Sequence, residues 1–598
     1  MQVMATDAET RPSDPWVTRV LPISRERWLS WGVGLRSSTS GLIGVAMVIG
    51  AGAGLFAVFF RWLIKVFTLA LSGHLDYAAV AGADNPHVPW LGRFFVVLAP
   101  VVAGLLYGPL VHFFAREARG HGVPEVMYAV ARQGGRIRPQ VAGVKALASA
   151  LCIGGGGSVG REGPIVQIGS ALGSTIGRVL HASEGRMKVF VACGAAGGIA
   201  ATFNAPLAGV FFALELILMD FTSQAFGMVV VSAVVASTIG RAAFGDVPFL
   251  ALPPFSVHHI GEYVLFALLG LLAGAAGVLF SKVLYLVEDA CDAVWRGPEW
   301  ARPAVGGVVL GLVLLLLPEM YGVGYPVIGN AVGGKYLIGF LLLLVIGKIF
   351  ATSLTIGIGG SGGVFAPSLF VGAMLGSAFG IAAQAVVPSI AGPIGVYGLI
   401  GMGAVFAGAA RAPITAVIIM FELTGEYSII LPLMAAIVLA AGISHWLTPD
   451  TIYTLKLRRR GIDITKPAAV PRASLGTTSA VMRPLPTGLD ARTPLVEAAA
   501  VLSRTPYGVL PVANLDGSYL GILTARAVAE ALADGEHDTE RAAIMTELPA
   551  RLQEDDTVET AVQALNLSGC GGIPVFGAEG HEPVGWLTYR DALAALRA

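Results

Sequence analysis

Residues 157–164 read Gly157-Ser158-Val159-Gly160-Arg161-Glu162-Gly163-Pro164, and residues 360–367 read Gly360-Ser361-Gly362-Gly363-Val364-Phe365-Ala366-Pro367. The second stretch repeats the glycine-and-proline spacing of the first at an offset of 203, and Gly169, Gly173 and Gly177 then lie over Gly372, Gly376 and Gly380. Upstream, Gly120-His121-Gly122-Val123-Pro124 returns as Gly322-Val323-Gly324-Tyr325-Pro326. Downstream, Gly194 to Glu215, with Asn204-Ala205-Pro206 inside, returns as Gly401 to Glu422 with Arg411-Ala412-Pro413. Two halves of about 200 residues therefore share one skeleton within apolar sequence. This pattern marks a transporter or channel whose site lies where related halves meet, built from helices that stop and start inside the membrane.

Composition points the same way. The 598 residues are 55% hydrophobic and 13% charged, with a mean hydropathy of +0.73, which favours a bilayer over a soluble core. The runs Gly41 to Leu71, Phe94 to Phe114, Tyr263 to Val287, Ala304 to Pro318 and Tyr336 to Ile356 approach or exceed the roughly 20 residues that cross about 30 Å of hydrocarbon. Shorter segments near 143–155, 164–180, 364–384 and 413–423 are broken by Gly or Pro, as suits helices ending partway through the membrane. About 40 polar residues with Arg11, Arg19, Arg25, Arg27 and Arg36 precede the first run, so no cleavable signal peptide is expected. Lys456, Arg458, Arg459 and Arg460 follow the last span. Both termini are thus expected in the cytoplasm, with the body in the plasma (inner) membrane. Cys152, Cys193, Cys291 and Cys570 show no paired spacing, so neither a disulfide framework nor a metal site is expected.

The expected organisation is a cytoplasmic lead over 1–40, a membrane domain over 41–447 in halves of about 41–243 and 258–447, a linker over 448–478 and a soluble tail over 479–598. The tail also repeats. Residues 479–535 and 541–598 each run from a Met-containing start (Val481-Met482-Arg483, Ile544-Met545-Thr546) through an Ala-rich helix to a strand. That strand holds Gly508, Leu510, Pro511 and Val512 in one copy and Gly571, Ile573, Pro574 and Val575 in the other. Asp516-Gly517 supplies a hairpin turn, and Gly521 to Thr524 and Gly585 to Thr588 read as the closing strands. The fold class is therefore an all-α polytopic membrane protein of two repeats with broken helices, followed by an α+β tail.

Gly155-x-Gly157-x-x-Gly160 and Gly357-x-Gly359-x-x-Gly362 match a dinucleotide fingerprint, but neither follows a soluble strand nor precedes a suitably placed acid, and no P-loop lysine is present. The glycines can instead leave amides uncovered at a helix start whose proline, 164 or 367, tolerates the first turn. Such a start carries about half a positive charge and binds anions without a cationic side chain. Close helix packing is the alternative use of these small residues. Glu162, in the first turn of an apolar segment, can occupy an anion site when ionised and leave it when protonated. Its alternative task is helix capping. Its repeat counterpart is Phe365. Arg161 reads as an interfacial or structural charge. A cation transporter would need several converging carboxylates, whereas the duplicated blocks hold Glu162, Glu215 and Glu422 as acids.

Gly160 to Pro164, Gly363 to Pro367, Gly120 to Pro124, the Phe203-Asn204-Ala205-Pro206-Leu207-Ala208-Gly209 block and Ile452-Tyr453 together resemble the CLC chloride channel and transporter family, and the tail resembles a tandem pair of CBS modules. The resemblance implies inverted halves, a lipid-embedded homodimer with one pore in each subunit, and transport of chloride or a similar anion, with protons in the coupled members. It implies neither an enzyme nor a nucleic-acid partner. By position, Glu162 would be the gating residue. Gly120, His121, Gly122, Val123, Pro124, Gly160, Arg161, Gly163, Pro164, Gly363, Val364, Phe365, Ala366 and Pro367 would surround the anion, with Tyr453 at the inner mouth. Two positions depart from the family. His121 stands where Ser, or Pro in nitrate-selective members, is usual, and Leu216 stands where coupled exchangers place an acidic relay. Leucine carries no proton, so a passive channel is the expected mechanism and proton-coupled antiport its alternative, with Glu215 as a candidate for the proton path. In the tail Thr588 and Asp591 match the end that holds adenine nucleotides, whereas Thr524 is followed by Ala527. No cofactor is required, and adenine nucleotide is the candidate tail ligand.

Overall fold

The structure, a computed structural model, describes residues 39–245, 259–425, 427–464, 476–533, 551–577 and 582–595. The basic residues expected ahead of the first span and the Ile544-Met545-Thr546 start lie outside the described residues. Two compact units divide the chain, Met1–Lys466 and Pro467–Ala598.

The first unit is helical, and its helices recur in one order. The first eight are α1 (Thr39–Ser72), α2 (Phe95–Phe114), α3 (Val123–Arg132), α4 (Gln140–Gly154), α5 (Glu162–Val179), α6 (Glu184–Phe203), α7 (Pro206–Phe212) and α8 (Ser223–Phe244). They are echoed by α9 (Glu262–Val294), α10 (Arg302–Leu316), α11 (Tyr325–Val332), α12 (Ile338–Gly357), α13 (Phe365–Val386), α14 (Ile394–Ala410), α15 (Pro413–Thr424) and α16 (Ile430–Leu447), before α17 (Thr454–Arg459). Among the described residues, eight helices are long and apolar enough to cross a membrane. One sequence expectation changes here: α10, read as a span, has 15 residues and reaches only about 22 Å. Conversely α13, read as short, has 22 residues.

The shared glycines have two physical tasks. Gly122 and Gly324 hold φ of 85° and 88°, and Gly156 and Gly359 hold 97° and 99°, a left-handed backbone that other residues rarely adopt. The loops before α3, α11, α5 and α13 thus turn alike. The second task is contact: a Cβ on Gly169 would strike the carbonyl of Gly194, and one on Gly372 the carbonyl of Gly401. Backbones of α5 and α6, and of α13 and α14, therefore touch, as small residues permit in membranes.

The second unit holds two sheets of equal topology. In one, β1 (Leu489–Asp490) pairs parallel with β2 (Val509–Ala513), which pairs antiparallel with β3 (Tyr519–Thr524). In the other, β4 (Leu552–Gln553), β5 (Gly572–Phe576) and β6 (Pro583–Thr588) pair the same way. Gly517, with φ of 84°, turns the chain between β2 and β3 as Asp516-Gly517 predicts. Arg483, counted from sequence with the first copy, instead exchanges backbone bonds of 2.8 Å with Trp586 in β6. Trp586 packs with Val509 and Ile522, so the two sheets share a core.

Candidate functional site

The duplicated loops meet through their backbones. Gly160 donates to the carbonyl of Gly363 at 2.7 Å and Gly363 donates to that of Gly160 at 2.6 Å, an antiparallel bridge. Gly120 joins in parallel, donating to Gly360 at 3.0 Å and accepting from Gly362 at 3.3 Å. The predicted loops before α3, α5 and α13 are thus one assembly. Its tightness needs glycine: a Cβ on Gly363 would lie 2.8 Å from the amide N of Gly163, and one on Gly163 would strike the His121 carbonyl. Helices α5 and α13 leave this bridge with first-turn amides that have no intrahelical partner, a partial positive charge from each half.

Glu162 lies between these starts and is 1% exposed. Its Oε1 accepts the Tyr325 hydroxyl at 2.5 Å. Among the described residues Oε2 has no hydrogen-bond partner. A Cβ on Gly160 would collide with Oε2 while lying 3.2 Å from the Ala366 amide N, which places the carboxylate at the gap between α5 and α13. Arg161 sets its guanidinium 5.3 Å from the Tyr325 ring centroid, a cation–π contact. Opposite, Phe365 packs against Phe406 and Phe203, with ring centroids 4.5 and 5.6 Å away. Tyr453 is buried.

Two cavities flank the assembly. One of about 380 Å³ is lined by Arg61, Lys65, Asp76, Arg161 and Tyr325. The other, of about 570 Å³, is lined by Tyr285, Arg302, Lys456 and Arg460, with Glu288 and Asp292 among its acids. Tyr325 links Glu162 to the first. Toward the second, the His121 carbonyl abuts Gly163 and the His121 ring lies 6.1 Å from that of Tyr285.

Sequence reasoning missed two residues here. Lys145 is fully buried and donates to Ala118 and Gly120 carbonyls at 2.9 and 2.7 Å. Lys348 is equally buried and donates to Gly322 and Val323 carbonyls at 3.1 and 3.2 Å. Each side-chain amine fixes the loop ahead of α3 or α11 from its repeat-related helix. The signal was present, since these lysines stand at the same 203 offset as the glycines. Buried amine side chains therefore stand behind the helix starts.

Glu215, the candidate for the proton path, meets a helix end of the other half. Its carboxylate accepts the amides of Ile414 and Thr415 at 3.2 and 2.8 Å and the Thr415 hydroxyl at 2.7 Å, capping α15. Glu422 in turn accepts the amides of Leu207 and Ala208 at 3.0 and 2.7 Å, capping α7. Leu216 is buried within a π-helical turn, Ala213–Leu218.

In the tail, Thr588 donates to Asp591 at 2.6 Å and accepts the Asp591 amide at 3.2 Å, while Arg483 pairs with the same carboxylate at 2.5 Å. Partial burial opposes the charge of Asp591, but the Arg483 and Thr588 hydrogen bonds outweigh it and hold this carboxyl below its ordinary range. Thr524 accepts the Ala527 amide at 3.1 Å, so both threonines cap the helices that follow, α18 (Ala525–Ala533) and α19 (Tyr589–Ala595).

The family described as voltage gated chloride channel matches residues 103–445 of this chain. The chain belongs to the CLC family. CBS domains match residues 479–534 and 542–598. This CLC protein is 34% identical over 439 residues, 72% of its length and 100% of the relative's, to a putative chloride channel protein ClcB-like of Ralstonia nicotianae. It is 36% identical over 380 residues, 62% of its length and 80% of the relative's, to the H(+)/Cl(-) exchange transporter ClcA of Vibrio parahaemolyticus. Among solved structures it resembles a slow cyanobacterial Cl-/H+ antiporter with a TM-score of 0.63 at 26% identity, covering 71% of this chain and 98% of that one. As a CLC protein with eight such helices it is an integral membrane protein of anion transport.

Proposed function

We propose that this chain exchanges chloride-like anions for protons, with Glu162 as the protonatable gate. The observation that carries this reading is the buried Glu162 carboxylate at the junction of two helix starts, between two cavities. Ionised, the carboxylate competes with an anion for the first-turn amides. Protonated, it loses that attraction and yields the place to the anion. Proton and anion then occupy the site in alternation, and Tyr325 holds the carboxylate in its present pose through one charge-assisted bond. Leu216 favoured a passive channel. The relatives named as exchange transporters support the coupled alternative instead.

The protein works in this reading as a homodimer in a lipid bilayer, with one pathway per subunit and both termini in the cytoplasm of the plasma (inner) membrane. Its CBS pair takes adenine nucleotide at Thr588 and Asp591. The test is reconstitution into liposomes with chloride and pH electrodes read together. Chloride efflux should drive proton uptake against a gradient, and Glu162→Ala should lower the protons moved per chloride by at least about tenfold. Chloride efflux with no proton uptake in wild type would reinstate the passive channel.

A further inference from the structure

His121 is 1% exposed, and among the described residues neither ring nitrogen has a hydrogen-bond partner. Buried polar atoms are nearly always paired, so an imidazole with two orphaned nitrogens in this assembly marks a place for a ligand. Its surroundings are cationic: Lys145 on α4 and Lys456 and Arg460 on and beyond α17 act on it electrostatically, and Tyr285 on α9 faces its ring. Arg460 is itself paired at 2.7 Å with Glu125 on α3. Lys145 is bound by two carbonyls. No carboxylate contacts His121 among the described residues.

A positive imidazolium would stand there in a buried place beside other cations, and an arriving anion offsets part of that cost. Binding of the two is then mutually favourable, and by linkage each strengthens the other equally. The His121 carbonyl abuts Gly163, next to Glu162, while its ring faces Tyr285, which with Lys456 and Arg460 lines the larger cavity.

We propose that His121 is the proton carrier of the inner half of the pathway, taking a proton from water in the larger cavity as an anion enters and passing it toward the Glu162 carboxylate. One ring nitrogen gains the proton and water is left as hydroxide or its buffered equivalent. The proton then leaves that nitrogen for the carboxylate, and the imidazole returns to neutral. This inference rests on the anion-exchange reading of Glu162 given above.

The test uses the full chain in two formats. In liposomes, His121→Asn and His121→Ser should lower the protons moved per chloride by at least about tenfold relative to wild type; an unchanged ratio in both overturns the proposal. In unbuffered detergent solution, Glu162→Gln protein should still take up about one proton per subunit on adding chloride between about pH 5 and 8, and the added His121→Asn change should abolish this uptake. No chloride-linked uptake by Glu162→Gln protein overturns the proposal even if the liposome variants fail to fold. Wild-type liposomes that pass no chloride would instead overturn the anion reading itself, whereas coupled wild type with an unchanged His121 ratio overturns only the carrier role.

Discussion

The two halves of the membrane unit share a frame and differ in what they hang on it. Lys145 and Lys348 do the same work on either side, each tying down the loop ahead of a glycine-broken helix. Yet Glu162 faces Phe365 across the bridge, and His121 corresponds to Val323. The first half contributes both ionisable groups, while the second contributes Tyr325, whose hydroxyl holds Glu162, and the aromatic wall. Backbone geometry is what duplication preserves here, because a loop of left-handed glycines leaves little freedom. Side chains at equivalent positions diverged, and one site with a chemical direction resulted.

The strongest way to break this comparison is to fill the bridge. Gly163→Ala drives a Cβ into the His121 carbonyl at a cost of about 1–3 kcal/mol or more, and should abolish transport and lower the yield of monodisperse protein on size exclusion. Gly185→Ala, where a Cβ meets nothing within 4 Å, should leave both unchanged.

A finer test concerns the lysines. Lys145→Met and Lys348→Met each remove two hydrogen bonds to buried carbonyls, at about 1 kcal/mol per bond, although Ser361 still donates to Ala118 and Gly362 to Gly120. If the halves are equivalent scaffolds, the thermal midpoint of the solubilised protein should fall by similar amounts in the two variants. A loss confined to Lys145→Met would show that the frame, too, has become asymmetric.

The smallest effect is expected in the tail, whose copies also diverge. Asp591→Asn removes the carboxylate partner of Arg483 in the second copy, where the first has Ala527. The folded-state acidity of Asp591 is strengthened, so its contribution is complete above the unfolded value of about 3.9 and is lost as pH falls through the lower folded value. Hydrogen exchange in β6 should therefore be modestly faster in the variant at neutral pH, with the difference vanishing in strong acid. The same variant should weaken binding of a fluorescent adenine nucleotide to the full chain without altering chloride flux.

Much of this was legible in sequence because glycine and proline report backbone directly. The 203 offset located the bridge, and Asp516-Gly517 located the tail hairpin. The lysines escaped notice since a lysine inside an apolar run does not announce whether it meets carbonyls, an anion or water. The capping contacts of Glu215 escaped notice for a related reason: its partners, the amides of Ile414 and Thr415, lie about 200 residues away in sequence. Helix α10 was read as a span on its apolar character, although the run Ala304 to Pro318 is no longer than the 15-residue helix itself.

The crossed carboxylates carry a last consequence. Glu215 closes a helix end belonging to the second half, and Glu422 closes one belonging to the first. Neither half, produced alone, can finish its own α7 or α15. Expressed as separate polypeptides, the two would have to find each other before either matured, so the ancestral duplication has become an irreversible partnership within one gene product.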